Sequence, residues 1–147
     1  MIKKNIIILV LFLFFSFLKA EVIKDVIIQG NKRVSDETIK VYGEIEINKD
    51  FSENDINKVL NNLYSTNFFE NIEIEIKNNI LNIKLKEYPV INQLVIIGEK
   101  KNSNKEQIKK LISLKEKKSF IRSYLAKDIE IMKKLYASLG YNFAEIT

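Results

Sequence analysis

The sequence predicts an α+β protein made of two tandem β-α-α-β-β modules, each a small three-stranded sheet covered on one face by two helices. Three observations carry that prediction. Residues 22–30 (VIKDVIIQG) are written again as residues 90–98 (VINQLVIIG), at an offset of 68. Leu63-Tyr64 and Leu135-Tyr136 each close an apolar helical pattern just before an aromatic strand start (Phe69, Tyr141), at an offset of 72. Between Phe69 and Lys86 the apolar period changes from that of a helix to that of a strand. A self-similarity of about seventy residues is domain-sized, longer than the roughly 20–50 residues of a solenoid repeat.

Composition bounds what two such modules can do. A unit of about 65 residues buries only about 60% of its unfolded surface, so each module is marginal alone. The leader, residues 1–20, holds Lys3, Lys4 and Lys19 and no acid. Without it, 21 of the 24 Lys and Arg residues stand against 19 Asp and Glu, and the net charge falls from +5 to +2. That surplus gives no argument for a nucleic-acid partner. Cys and His are both absent. No disulfide, thiol nucleophile or lipid-modified cysteine is available, no zinc or transition-metal site is expected, and the usual general base is missing. No catalytic residue, cofactor or metal ligand is assigned, and the chain reads as a non-enzyme.

The leader comes first in the chain. Lys3 and Lys4 precede an uninterrupted apolar run over residues 6–15, which continues past Ser16 to Leu18 and ends in Lys19-Ala20. A positive head with an apolar core of about a dozen residues is the pattern of a secretory signal, cleaved here after Ala20. The run is shorter than the ~20 residues of a spanning helix. Leu18, which is not small, occupies position −3 before that cleavage point, and an uncleaved anchor stays open as the alternative. Either way the remainder is exported.

The first module spans residues 21–88. Residues 22–29 read as one strand, with Val22, Val26 and Ile28 on one face, and Gly30 ends it because glycine takes positive φ freely. Ser35 is placed as the N-cap of a short helix that stops near Gly43. A second helix starts at Ser52, with Asp55 at the third helical position and Phe51 able to staple onto Ile56. Ile56, Val59, Leu60, Leu63 and Tyr64 form its buried stripe.

Next comes a hairpin. Ile72, Ile74 and Ile76 alternate with Glu73 and Glu75; after Asn78-Asn79, Leu81, Ile83 and Leu85 alternate with Asn82, Lys84 and Lys86. Asparagine tolerates the left-handed backbone of a two-residue turn. That loop opposes Lys77 to Ile80, Ile74 to Ile83 and Glu73 to Lys84. A slip of one residue would put the isoleucines into water. Glu87, Tyr88 and Pro89 form the joint between modules, since a residue before proline is driven toward extended geometry.

The second module spans residues 89–147. Residues 90–98 repeat the first strand, ending at Gly98. Ser103 with Glu106 is expected to cap a helix burying Ile108, Leu111 and Ile112. A long helix over residues 120–139 has Leu125, Ile129, Met132, Leu135, Tyr136 and Leu139 as its stripe, with Gly140 as C-cap. Residues 141–147 begin a second strand. No counterpart of residues 80–86 follows, so this module is expected to stop before its third strand, as part of a longer product.

The motifs V-x-I-x-G-N (Val26 to Asn31), L-Y-S-T-N-F-F-E-N-I (Leu63 to Ile72) and L-Y-A-S-L-G-Y (Leu135 to Tyr141), behind an export signal, resemble the POTRA repeats of BamA-type outer-membrane β-barrel assembly factors. The resemblance covers everything after the leader. It implies a mixed sheet with strand order first, third, second, and a scaffold at the periplasmic face of the outer membrane. The partners it implies are nascent outer-membrane proteins, periplasmic chaperones and assembly-complex lipoproteins, with the outer membrane reached through a C-terminal barrel absent from this sequence. The repeats of a two-partner-secretion transporter, or of a single-span cell-division-type protein, are the alternatives.

That strand order leaves the second strand at an open edge. Hydrogen-bonded pairs alternate along a hairpin from its closing pair, so Glu73, Glu75 and Lys77 bond inward. The backbone groups of Ile72, Ile74 and Ile76 point outward, where an extended peptide can add. The flanking charges Glu73, Glu75 and Lys77 also have a plainer reading, as groups that keep an edge from aggregating. The basic run from Lys100 to Lys118 reads as a solvated face before it reads as a contact for acidic partners or head groups. A KH-type RNA binder is opposed by the absence of GxxG.

Overall fold

The computed structural model describes residues 21–147; the expected signal segment and its cleavage after Ala20 lie outside the described residues. Lys24 breaks what the sequence reads as one strand. β1 (Glu21–Ile23) pairs antiparallel with a short β3 (Lys49–Phe51), whereas β2 (Asp25–Gln29) enters the main sheet. The break flips the buried face. Ile23 and Val26 are both buried although three apart, and Val22 is exposed instead of sharing the inner face with Val26. Asn79 holds the kink: its carbonyl accepts from the Lys24 N–H at 2.8 Å and its amide donates to the Val22 carbonyl at 2.8 Å.

α1 (Asp36–Gly43) is capped by Ser35, whose Oγ accepts from the Thr38 N–H at 3.2 Å. α2 (Glu53–Ser65) begins with a reciprocal box. The Asp55 N–H donates to Ser52 Oγ at 3.3 Å, and the Ser52 N–H returns to Asp55 Oδ2 at 2.8 Å. The Ser52 hydroxyl and N–H hold the Asp55 carboxyl below its usual range. Val59 and Leu63 are buried on this helix, but Tyr64, read from the sequence as part of the core stripe, is exposed. A helix stripe drawn at i, i+4, i+8 drifts around the axis, and Tyr64 lies at its rim.

β4 (Phe69–Lys77) and β5 (Ile80–Glu87) form the hairpin, and the sheet order is β2-β5-β4. β2 runs parallel to β5 with Val26 opposite Leu81 and Ile28 opposite Ile83. Asn78 and Asn79 have φ of 53° and 64°, the left-handed pair that a two-residue hairpin turn requires. Glu73 and Lys84 approach to 3.9 Å, as the expected register places them. Toward its open end the hairpin carries a bulge absent from the sequence reading. Phe69 and Ile72 are both buried, and the Tyr88 N–H donates to the Phe68 carbonyl at 2.9 Å. The β4 side therefore has one residue more than the β5 side, taken up at Glu70-Asn71. Gly30 has φ +90°, and a Cβ there would lie 2.0 Å from the Leu85 carbonyl oxygen, so backbone approach as well as φ requires glycine.

By their contacts the described residues form two units, one of residues 21–65 with 72–85 and one of residues 66–71 with 86–147. The second holds α3 (Asn102–Leu111) and α4 (Arg122–Ser138), with Ile108, Ile112 and Leu135 as its core. Several expectations for this half are corrected. Residues 90–98 form no strand beyond a single bridge between Val90 and Ser119, and residues 141–147 form none. The inward–outward alternation survives: Leu94 and Ile96 pack on the core while Val95 and Ile97 are exposed. What is missing is a neighbour, because in the first unit the equivalent β2 is held by β5. Gly98 accordingly has φ +87° with nothing within 4 Å of a built Cβ.

α3 starts two residues earlier than the expected Ser103–Glu106 box would place it, with Lys101 at the N-cap position and no side-chain cap. Leu111, Leu125 and Leu139 are exposed, and Leu114 and Asp128 are buried in addition to the expected residues. Asp128 is buried because it accepts from the Ser113 and Leu114 N–H groups at 2.7 and 2.8 Å, which ties down the turn between the helices. At the C-terminus of α4 the Gly140 N–H bonds Ala137 and the Tyr141 N–H bonds Tyr136, with Gly140 at φ +90°, as its expected cap role demands.

Candidate functional site

The site begins with a turn. Two left-handed asparagines bring Lys77 opposite Ile80, and from that closing pair the hydrogen-bonded positions alternate along the hairpin. Ile72 shows which positions face away. Its N–H turns from β5 and donates to the Tyr64 hydroxyl, 3.1 Å away at the end of α2. By the same alternation the backbone groups of Ile74 and Ile76 lie on that outer side, and those of Glu73, Glu75 and Lys77 face β5. Among the described residues, the order β2-β5-β4 leaves β4 with a strand neighbour on one side only.

The side chains are sorted by face. Ile72 is buried and Ile74 and Ile76 are half-buried, while Glu73, Glu75 and Lys77 are exposed. The Glu73–Lys84 pair is open to solvent at both ends, so it contributes little to stability. It does keep charge on the outer surface of an edge that would otherwise be a run of isoleucines.

The remaining expected positions lie apart from this edge. Tyr88 and Pro89 belong to the second unit, where the Pro89 carbonyl accepts from the Phe120 N–H at 2.7 Å. Gly30 ends β2 against the Leu85 carbonyl, and Gly98 and Gly140 are turn positions of the second unit. In the basic run, Lys109 pairs with Glu106 at 3.1 Å on an exposed helix face.

Two features escaped the sequence reading. The helical spacing places Tyr64 in the packing stripe, whereas its hydroxyl occupies the edge at Ile72. In the second unit, the Glu99 carboxylate accepts from the Tyr136 hydroxyl at 2.6 Å, Asn104 Nδ2 at 3.0 Å and the Lys101 N–H at 2.7 Å. These bonds, Tyr136 foremost, lower the Glu99 carboxyl from its ordinary 4.5 to about 2. The same bond to Glu99, followed by burial, pushes the Tyr136 phenol up to about 12. A glutamate just ahead of a helix start is the sequence signal that would have found it. Among the described residues no group of three or more acidic, His or Cys side chains is placed to hold a metal, and no helix is long and apolar enough to cross a membrane.

Known proteins resemble this arrangement. The family model named POTRA, described as a surface antigen variable number repeat, matches residues 21–88 and again residues 89–147. The outer membrane protein assembly factor BamA of Neorickettsia risticii (strain Illinois) is 32% identical over 85 residues, 58% of this chain. The chain covers 12% of that relative's length. The N-terminal domain of Omp85 from Thermosynechococcus elongatus superposes with a TM-score of 0.55 at 14% identity, over 82% of this chain and 52% of that one. It shares the fold. A pair of POTRA domains of Omp85 from Anabaena covers 86% of this chain and 85% of its own, with a TM-score of 0.49 and 14% identity.

Proposed function

The chain belongs to the POTRA family, and from its BamA-type character we propose that it is an exported, non-catalytic part of an outer-membrane protein assembly factor. Residues 21–88 and 89–147 are its two repeats, joined at Tyr88-Pro89. It works at the periplasmic face of the outer membrane as a scaffold for assembly partners, chaperones and lipoproteins among them. It also takes hold of unfolded outer-membrane protein segments in passing, by adding them as an extra strand to the outer side of β4.

One observation supports the strand-adding role above others: the Ile72 N–H points away from β5, so the outer row of backbone groups on this edge is turned outward. Each backbone bond to an incoming strand nets about 0.5–1.5 kcal/mol. A few of them give weak, short-lived capture, which suits the handover of a client and not its storage. Exposed Glu73 and Glu75 favour clients with a basic flank and discourage self-pairing of two such edges.

Photo-crosslinkers placed on cysteines at Glu73 and Glu75 in cells are expected to trap client chains, well above the level obtained from Lys58 on the α2 surface. Labelling no stronger than at Lys58 would sink the proposal.

A further inference from the structure

We propose that Tyr64 sets where an incoming strand begins on the β4 edge, by occupying the first outward hydrogen-bond position before any peptide arrives. The inference rests on the strand-adding reading above. The Tyr64 hydroxyl oxygen lies 3.1 Å from the Ile72 nitrogen and accepts a hydrogen bond from its N–H. A strand added to β4 at the usual spacing of about 4.8 Å would present a carbonyl to that same N–H. Both acceptors cannot occupy one site. Replacing the phenol by a peptide carbonyl exchanges one hydrogen bond for another, with little net gain. The Ile72 position therefore adds nothing to capture, and binding rests on Ile74 and Ile76.

Tyr64 is suited to this task. It sits in the last turn of α2, a helix anchored by buried Val59 and Leu63, so its ring is delivered to the edge by a fixed element. The side chain itself remains 43% exposed. Its packing contribution is correspondingly small, and its hydroxyl has a defined partner. The consequence is selectivity by length and register: the edge rewards a short segment near the Asn78-Asn79 turn and gives no added affinity for extending it toward Ile72. Tyr64 is a positioning residue, and it limits the stretch of edge on which a client strand can zip.

Residue-resolved amide exchange and binding on the whole chain, wild type against Tyr64→Phe, test this. The probe is a synthetic peptide with the sequence of residues 80–87, whose alternation is that of a strand already accepted by β4. Phenylalanine keeps the ring, and unchanged protection at Leu81 and Ile83 verifies the fold. Without peptide, exchange at Ile72 is expected to speed up about two- to tenfold in the variant, the worth of one hydrogen bond, with Ile74 and Ile76 unchanged. With peptide, the wild type gains protection at Ile74 and Ile76 only; the variant also gains it at Ile72 and binds about two- to tenfold tighter. Equal affinities, with the peptide shifting the Tyr64 ring resonances in the wild type, would overturn the role of Tyr64 and leave strand addition standing. No peptide-induced protection on β4 in either protein would overturn both.

Discussion

Glu99 and Tyr136 show how a single contact can move two groups in opposite directions. The tyrosine hydroxyl favours the charged carboxylate, and the carboxylate favours the neutral phenol. A carboxyl whose folded value is depressed stabilises the fold above its ordinary value, and the contribution fades as pH falls from 4.5 to about 2. A phenol whose folded value is raised contributes fully below 10, and loses that contribution as pH rises toward about 12. Carbon-detected NMR titration is expected to place the Glu99 midpoint near 2 and to return it toward 4.5 in Tyr136→Phe. A midpoint unmoved by that substitution would contradict the bond. At this scale the sequence was partly legible. Ser35, Ser52 and Asp55 declared themselves as caps because capping is a local matter of spacing. Tyr64, Asp128 and Glu99 did not, because their partners at Ile72, Leu114 and Tyr136 lie 8, 14 and 37 residues away along the chain.

The hairpin is the element on which the functional reading turns. Its period-2 pattern, its Asn78-Asn79 turn and the Glu73–Lys84 pairing were readable because register is over-determined when one face is apolar. Its bulge was not, since Glu70 and Asn71 are polar on either register. Nor was the β1–β3 ribbon, whose strands are three residues each and too short to show a period. The alternation of backbone groups makes a stability prediction. Ile74→Pro removes an N–H that faces away from β5 and should leave the chain folded, as proline is tolerated on the outer side of an edge. Glu75→Pro removes an N–H that belongs to the ladder, and should cost about 1–3 kcal/mol more. Urea unfolding of the two variants decides it. If Ile74→Pro is the more damaging, the inward and outward rows are the reverse of those described.

Across the whole molecule, the duplication visible at residues 22–30 and 90–98 predicts two related units, and the two contact units carry it unequally. In the first, β2 becomes a strand because β5 lies alongside with Val26 opposite Leu81. In the second, the repeated residues keep the facing of a strand, with Ile96 in and Ile97 out, but have one bridge in place of a ladder. Sequence periodicity reports which face a residue presents; it does not report whether a neighbour is there to pair with. Helices need no such neighbour for their backbone bonds, and α3 and α4 were accordingly legible as elements, even though Leu111, Leu125 and Leu139 of their expected stripes are exposed. The most direct test of an open edge is an NMR titration of the chain with an unfolded segment from an outer-membrane β-barrel. The amides of Ile74 and Ile76 are expected to shift most, with those of Leu81 and Ile83 on the central strand nearly still. Largest shifts on residues 92–98, or on the α2 surface around Lys58, would contradict it.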